Sequence, residues 1–137
     1  MSASQPMTIF QVAGRAMSAQ LVRMNTTASN LANAGGVAGT AEAAYKTMKP
    51  VFRTSFDQAT GLATVDVEKI VNAGEAPAKR YDPTNPMADK DGNVFDAAVD
   101  ETRELVDMME TSRSYQNNVE VMNTAKQLIV DTLKLGR

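Results

Sequence analysis

The sequence predicts a mainly α protein: two long terminal helices form an antiparallel, coiled-coil-like hairpin, with a small β or irregular lobe between them. Helix-breaking residues lie mostly in the middle, since four of the 5 prolines fall within residues 50–86 and six of the 8 glycines within 35–92. Both flanks repeat apolar residues at helical spacing. The expected boundaries are 1–36 for an N-terminal assembly helix, 37–95 for the lobe and 96–137 for a C-terminal assembly helix. The two helices together form one elongated domain.

The first flank, from about residue 7 to residue 33, predicts an amphipathic helix. A second apolar stripe lies beside its main one, so the apolar sector is too wide for a single partner helix. Ser4 or Thr8 is a candidate N-cap, and Gly35 with Gly36 a candidate end. The main stripe has a mean step of 3.5 residues, the repeat of a coiled-coil seam, and consists of Phe10, Ala13, Met17, Leu21, Met24, Ala28 and Leu31.

The last flank, from about residue 97 to residue 135, predicts a longer helix. At a rise of 1.5 Å per residue, it would be roughly 50–55 Å long and the first helix roughly 40 Å. These lengths favour a rod-shaped hairpin over a sphere. Its stripe is apolar or aromatic except at two positions, and consists of Leu105, Met108, Ser112, Tyr115, Val119, Met122, Lys126, Ile129 and Leu133.

The segment between the helices predicts short strands. Residues 45–56 are rich in β-type residues, and residues 62–71 alternate in polarity. Turns are expected at 57–61 and 91–93, where Asp, Gly and Asn cluster. We therefore expect a small antiparallel hairpin or a three-stranded lobe.

The composition excludes most catalytic chemistry, because the chain has no His, Cys or Trp. Cys–His nucleophile pairs, Cys/His zinc sites and thiol redox chemistry are therefore impossible. Residues 89–93 are similar to part of a calcium loop, but Met87 and Ala98 replace its first and last carboxylates, so a plain Asp-Gly turn is expected. No nucleophile, base and orienting group assemble elsewhere. We expect no enzyme activity, no catalytic residue, no metal, no cofactor and no small-molecule substrate.

The charge balance disfavours a nucleic-acid partner, because 14 basic residues against 16 acidic ones give a net charge of −2. Residues 1–41 carry two arginines and no acid, whereas 96–137 carry 8 acids and 5 bases, which favours pairing between the two ends. No apolar run approaches the ~18 residues of a membrane span, so we expect no membrane insertion. The acids at the start of the last helix are expected to complement its dipole: Asp100, Glu101, Glu104, Asp107 and Glu110.

Motifs in both helices resemble the signatures of one family, the bacterial flagellar rod and hook proteins. Residues 19–34, with their Asn-rich end Ser29–Asn33, resemble its N-terminal signature, and residues 104–126 resemble its C-terminal one. Residues 81–94 resemble its Asp-Pro-x-x-Pro segment, although Asn93 replaces an aromatic residue there. The short chain is most similar to the small members of the proximal rod.

This resemblance implies a structural subunit that polymerises helically through its terminal helices into the basal-body rod, a drive shaft that transmits torque and encloses the export channel. Its implied partners are itself, other rod subunits, neighbouring basal-body proteins and, in transit, the flagellar type III export apparatus. The implied location is the rod crossing the periplasm, after synthesis in the cytoplasm and export without a cleaved signal peptide. Two alternatives remain: the other small rod protein, and a cytoplasmic helical adaptor or secretion chaperone.

The expected subunit interface combines both apolar stripes with the polar members of the two signatures. The polar members are expected to make directional hydrogen bonds between subunits, because buried polar groups fix the register of apolar seams. The alternative is that they end a helix or point to solvent. The interface residues are Phe10, Ala13, Met17, Leu21, Met24, Ala28, Asn30, Leu31, Asn33, Leu105, Met108, Arg113, Tyr115, Asn118, Val119, Met122, Ile129 and Leu133.

Overall fold

The computed structural model describes residues 8–136. Their elements, in chain order, are α1 (Ile9–Asn33), β1 (Val37–Ala38), β2 (Met48–Asp57), β3 (Leu62–Asn72), β4 (Lys79–Tyr81), β5 (Asn93–Asp96) and α2 (Glu101–Leu135). Two long helices therefore flank a β-rich region, as the sequence predicts. The β-rich region is larger than a mainly α fold implies, because it forms two separate sheets.

The start of α1 is set by a reciprocal cap. The Gln11 backbone N–H donates to Thr8 Oγ1 at 3.3 Å, and the Thr8 N–H donates to Gln11 Oε1 at 3.0 Å. The helix ends at Asn33, just before Gly35 and Gly36, as predicted. Ser4, the other candidate cap, and residue 7, the expected first residue of the helix, lie outside the described residues.

The predicted start of α2 near residue 97 is wrong by four residues. Residues 97 and 98 form backbone hydrogen bonds with distant segments instead, since the Ala97 N–H donates to Gly36 O at 2.9 Å and the Ala98 N–H to Tyr45 O at 2.8 Å. The helix begins at Glu101, and Asp100 caps it by accepting from the Arg103 N–H at 3.1 Å. It has 35 residues against 25 in α1.

Both forms predicted for the lobe are present. β2 and β3 form an antiparallel hairpin paired from Met48↔Asn72 to Asp57↔Leu62, with a bulge at Glu68. Its turn closes with Gly61 at φ +68°, where the Gly61 N–H donates to Asp57 O at 2.9 Å. The second sheet has three strands in the order β1-β5-β4.

α1 lies at the centre of the subunit because it contacts both α2 and the hairpin. Arg23 pairs with Asp107 on α2, and Arg15 pairs with Asp66 on β3, each at 3.3 Å. α1 therefore has two packing partners within its own subunit. One of them is the hairpin, which the helical periodicity did not predict.

Few apolar side chains are fully buried, and they are small: Ala13, Ala19, Ala38, Ala44 and Val94. The chain exposes 9435 Å², whereas a compact monomer of 14.7 kDa exposes about 6,900 Å². Most large apolar residues of α2 remain exposed. Among the described residues, neither helix combines the length and hydropathy needed to cross a bilayer.

We expect the two halves of α2 to differ in backbone protection in the purified protein. Every residue from Lys126 to Gly136 is exposed, whereas Glu104 and Thr111 are buried. Amide hydrogens after residue 126 should therefore exchange much faster than those of residues 104–118, because few contacts oppose local opening there. Hydrogen exchange followed by mass spectrometry measures this difference. Uniform protection along α2 would contradict it.

Candidate assembly interface

A partly buried group of polar side chains joins α1, α2 and the base of the hairpin; we call it the polar cluster (Arg23, Asn30, Tyr45, Lys49, Glu104 and Asp107). Asn30 is its centre and is 1% exposed. The Asn30 amide donates to Met48 O and to Glu104 Oε2, each at 2.9 Å. It accepts from the Met48 N–H at 2.9 Å and from the Tyr45 hydroxyl at 2.8 Å. Both donors and both acceptor positions of the amide are thereby used within the subunit.

Glu104 is only 2% exposed, and its charged partner is Lys49. Lys49 Nζ lies 3.4 Å from Glu104 Oε1 and donates to Asp107 Oδ2 at 2.7 Å. Arg23 Nη2 donates to Asp107 Oδ1 at 3.3 Å. A buried carboxylate is tolerated only when paired and hydrogen-bonded, and the cluster supplies both conditions. The cluster therefore fixes the position of the hairpin base relative to both helices.

The electrostatics of the cluster keep Lys49 and Asp107 charged. The hydrogen bond from Lys49 holds the pKa of Asp107 below its usual value of 3.8, and the charges of Lys49 and Arg23 act in the same direction, against burial. Partial burial would lower the pKa of Lys49, but the hydrogen bond to Asp107 and the charges of Glu104 and Asp107 outweigh it and raise that pKa above 10.5. Both residues are therefore ionised near neutral pH.

We expect Asp107→Asn to reduce the stability of the subunit by about 1–2 kcal/mol at neutral pH, because it weakens hydrogen bonds to two cations that are partly screened by solvent. A lowered carboxyl pKa stabilises the fold fully above about pH 4, and this contribution disappears as the pH falls through the lowered pKa. The difference between the wild type and the variant should therefore shrink below pH 4. Urea unfolding at several pH values tests this, with exposed Asp131→Asn as the control. A difference that is independent of pH would contradict it.

The predicted interface residues divide into three groups by burial. Ala13 and Asn30 are buried, and seven of the others are exposed: Leu21, Ala28, Asn33, Leu105, Arg113, Ile129 and Leu133. The half-buried ones are Phe10, Met17, Met24, Leu31, Met108, Tyr115, Asn118, Val119 and Met122.

The expected role of Asn30 needs a correction. Its amide is fully hydrogen-bonded inside the subunit, so it cannot also make the directional bond between subunits that its polarity suggested. Asn33 remains exposed, and its Nδ2 donates to Ser29 O at 2.8 Å. Asn33 is therefore placed where a neighbour can reach it, whereas Asn30 is not.

The end of α2 is uncovered by the described part of its own chain; we call residues 128–135 the α2 tip. Its apolar residues point to several sides of the helix, and Leu133 is 67% exposed. An open apolar groove of about 400 Å³ lies at the start of the tip, and its lining includes Ile9, Val121, Ala125 and Leu128. A helix that is apolar on most sides is normally enclosed by other protein. The exposed apolar residues of the tip are Leu128, Ile129, Val130, Leu133 and Leu135.

Sequence reasoning identified one member of the polar cluster as a site residue, Asn30, and missed the other five: Arg23, Tyr45, Lys49, Glu104 and Asp107. It assigned Glu104 to the helix dipole, yet the side chain is buried against residues from α1 and β2. The available signal was Asn30, a poor helix former next to Leu31 of the apolar stripe, which indicates a buried hydrogen-bonding partner.

The calcium-like segment forms the expected turn. Asp89 Oδ1 accepts from the Asp91 and Asn93 N–H groups, each at 2.9 Å. Gly92 has φ +76°, and a Cβ there would lie 2.9 Å from the Tyr81 ring. Within residues 8–136, no group of three or more carboxylates is arranged to hold a metal ion.

Comparison with known proteins places both helices in one family. Residues 10–39 match the model described as flagella basal body rod protein, and residues 91–135 match flagellar basal body rod FlgEFG protein C-terminal. The flagellar basal-body rod protein FlgC of Salmonella typhimurium is 44% identical over 134 residues, covering 96% of this chain and 98% of the relative. The chain belongs to the FlgC family of flagellar basal-body rod proteins.

Two further FlgC proteins show how far the similarity extends. The protein of Escherichia coli O157:H7 is 42% identical over 132 residues, covering 96% of this chain and 98% of the relative. That of Agrobacterium fabrum is 32% identical over 127 residues, covering 91% of each chain. These relatives favour FlgC over FlgB, the other small rod protein considered. The chain is thus a structural subunit of the flagellar basal body.

Proposed function

We propose that this FlgC-family chain polymerises helically through α1 and α2 to form part of the rod crossing the periplasm. The observation that carries the proposal is the α2 tip, where Leu128, Ile129, Leu133 and other apolar side chains are exposed in the subunit. Neighbouring subunits would cover them in a heterologous, open-ended contact, which produces a filament rather than a closed ring. Such a tube would transmit torque and enclose the export channel.

We further propose that the two helices pair as an antiparallel, coiled-coil-like hairpin, with assembly segments at 1–36 and 96–137 around a lobe at 37–95. Three contacts support this direction. Asn30 is hydrogen-bonded to Glu104, Arg23 is paired with Asp107, and Ile9 lines the same groove as Leu128. Residue numbers along α2 therefore increase in the direction in which those along α1 decrease. The predicted interface residues that remain exposed, Leu21, Arg113 and Leu133 among them, would then contact neighbours.

The proposed role of the chain is structural and includes no catalytic activity. The chain would be synthesised in the cytoplasm and passed uncleaved through the flagellar type III export apparatus. Other rod subunits, copies of the chain and neighbouring basal-body proteins would be its partners. An uncovered α2 tip would order fully only on assembly, because the contacts that offset the entropy of ordering come from neighbours.

Cell fractionation with an antibody against the chain tests the proposal. We expect the chain to sediment with purified basal bodies and to be lost from them when its gene is deleted. A chain that stays in the soluble fraction of cells with complete basal bodies would contradict the proposal. That result would favour the alternative of a cytoplasmic adaptor or secretion chaperone.

A further inference from the structure

The apolar groove beside α2 lies directly at the start of α1. Ile9, the first residue of α1, is one of its lining residues. The described residues leave the groove open, with a volume of about 400 Å³. A concave, mostly apolar surface of this volume can enclose several side chains. The lining residues that belong to α2 are Asn117, Glu120, Val121, Thr124, Ala125 and Leu128.

Residues 1–7 immediately precede this groove along the chain. Thr8 is the N-cap of α1, so Met7 is only two residues from Ile9. Two residues span at most about 7 Å, which keeps the Met7 backbone within reach of the groove. Seven extended residues span about 23–25 Å, whereas the rise along α2 from Asn117 to Leu128 is roughly 17 Å. The segment is therefore long enough to follow the whole groove.

The cap of α1 favours entry of the chain on the groove side of the helix. Thr8 and Gln11 form a capping box, and an apolar residue just before such a cap commonly packs against the fourth residue of the helix. These two positions are held by Met7 and Val12, which are both apolar. Val12 follows Ile9 by three residues, so the two share a side of α1. A contact between Met7 and Val12 would therefore direct the preceding residues toward the groove.

The composition of residues 1–7 suits the groove. The segment has no charged side chain, and two of its seven residues are methionines, Met1 and Met7. Methionine is flexible and polarisable, so it fills irregular apolar gaps well. A tethered segment also has an effective concentration in the millimolar range, whereas a separate molecule has to bind from dilute solution. The chain's own segment is therefore favoured over a second copy as the occupant.

We propose that residues 1–7 pack in this groove, with the Met7 side chain between Ile9 and α2. The contact lies within one subunit, so it holds whether or not the chain assembles as proposed. Leu133 is not among the lining residues, and the α2 tip beyond the groove stays available to neighbours. The segment thereby separates the part of α2 that is covered within the subunit from the part that is left for assembly.

The access of a thiol in the groove to solvent tests the proposal. Thr124 lines the groove and is exposed in the described part of the chain. The chain has no cysteine, so Thr124→Cys supplies a single thiol in the purified full-length protein. We expect a maleimide dye to label it slowly. Met7→Ser should raise the labelling rate about tenfold, because the burial of one methionine side chain has an effect of this order.

Asn123→Cys is the matched control, since Asn123 is also exposed but does not line the groove. Successive helical residues point about 100° apart. Asn123→Cys should therefore label rapidly, at a rate that Met7→Ser does not change. An equal effect of Met7→Ser on both thiols would show a general loosening of α2 and would overturn the proposal. So would unchanged labelling of Thr124→Cys, or protection that increases with protein concentration, which would assign the groove to a second copy.

Disulfide formation within one chain measures the contact itself. Met7→Cys combined with Thr124→Cys is treated with oxidised glutathione at low protein concentration. We expect a looped monomer that migrates faster on a non-reducing denaturing gel. Met7→Cys combined with Asn123→Cys should give about tenfold less of this product, because a disulfide forms only when the two Cα atoms approach closely. Equal yields from the two pairs, or no looped monomer from the first pair, would contradict the proposed contact.

Discussion

Asn30→Leu is expected to destabilise the subunit by about 3–5 kcal/mol, although leucine matches the volume and suits a helix better. The substitution removes four hydrogen bonds at a site that is 1% exposed. It leaves the Met48 backbone groups, the Tyr45 hydroxyl and the Glu104 carboxylate without this partner. Each buried polar group left unpaired costs about 1–3 kcal/mol, and a charged one costs more. Urea unfolding followed by circular dichroism measures the loss.

Asn33→Leu is the matched control, because the same change occurs one turn later at an exposed position. We expect it to change stability by less than about 0.5 kcal/mol. If both variants unfolded at the same urea concentration, the polar cluster would contribute nothing to the subunit. Asn30 would then act through a neighbour, as its place in the flagellar signature first suggested.

Leu133→Asp is expected to abolish swimming while leaving the purified subunit as stable as the wild type. Leu133 is 67% exposed in the subunit, so a carboxylate there is solvated until assembly. In an assembled rod it would be buried in an apolar contact, at a cost of several kcal/mol for each subunit. Motility plates and counts of basal bodies by electron microscopy measure the effect, and urea unfolding measures the stability.

Lys134→Asp, at the next residue, makes a larger change in charge on the side of the tip that already carries Asp131. We expect at most a mild loss of motility from it. Equal loss from the two variants would indicate that any added acid at this end is harmful, and the assignment of an apolar contact to Leu133 would be wrong.

Periodicity in the sequence predicted the parts of the fold that local interactions determine. The apolar stripes predicted both helices, and Thr8 capped the first as expected from its place before the stripe. Alternating residues and the Asp57–Gly61 turn predicted the hairpin. In each case the signal lies within a few residues of the element that it predicts.

Features that depend on distant residues were not predicted. α2 starts late because Ala97 and Ala98 bond to Gly36 and Tyr45, more than 50 residues earlier. Glu104 is buried because Asn30 and Lys49 meet it from two other elements. No local pattern reports such pairings. An acidic residue in the first turn of a helix is ordinarily exposed and favoured by the helix dipole.

The orientation of the β2–β3 hairpin is a second feature that the sequence pattern could not predict, since its charged side faces the helices. Alternation in β2 and β3 separates two sides but does not say which of them faces the helices. The usual rule, apolar side inward, predicts the wrong orientation here, because Arg15 and the acids of α2 attract the charged side.

The exposure of the α2 tip before and after assembly tests the central claim most directly. A single Leu133→Cys provides the only thiol in the chain, and a maleimide dye reports its access to solvent. We expect rapid labelling of the purified subunit and strong protection in purified basal bodies, whereas Thr84→Cys, on an exposed turn of the lobe, should label in the subunit at a similar rate. If Leu133→Cys labelled as fast in basal bodies that contain the chain as in the free subunit, the tip would not be an assembly surface.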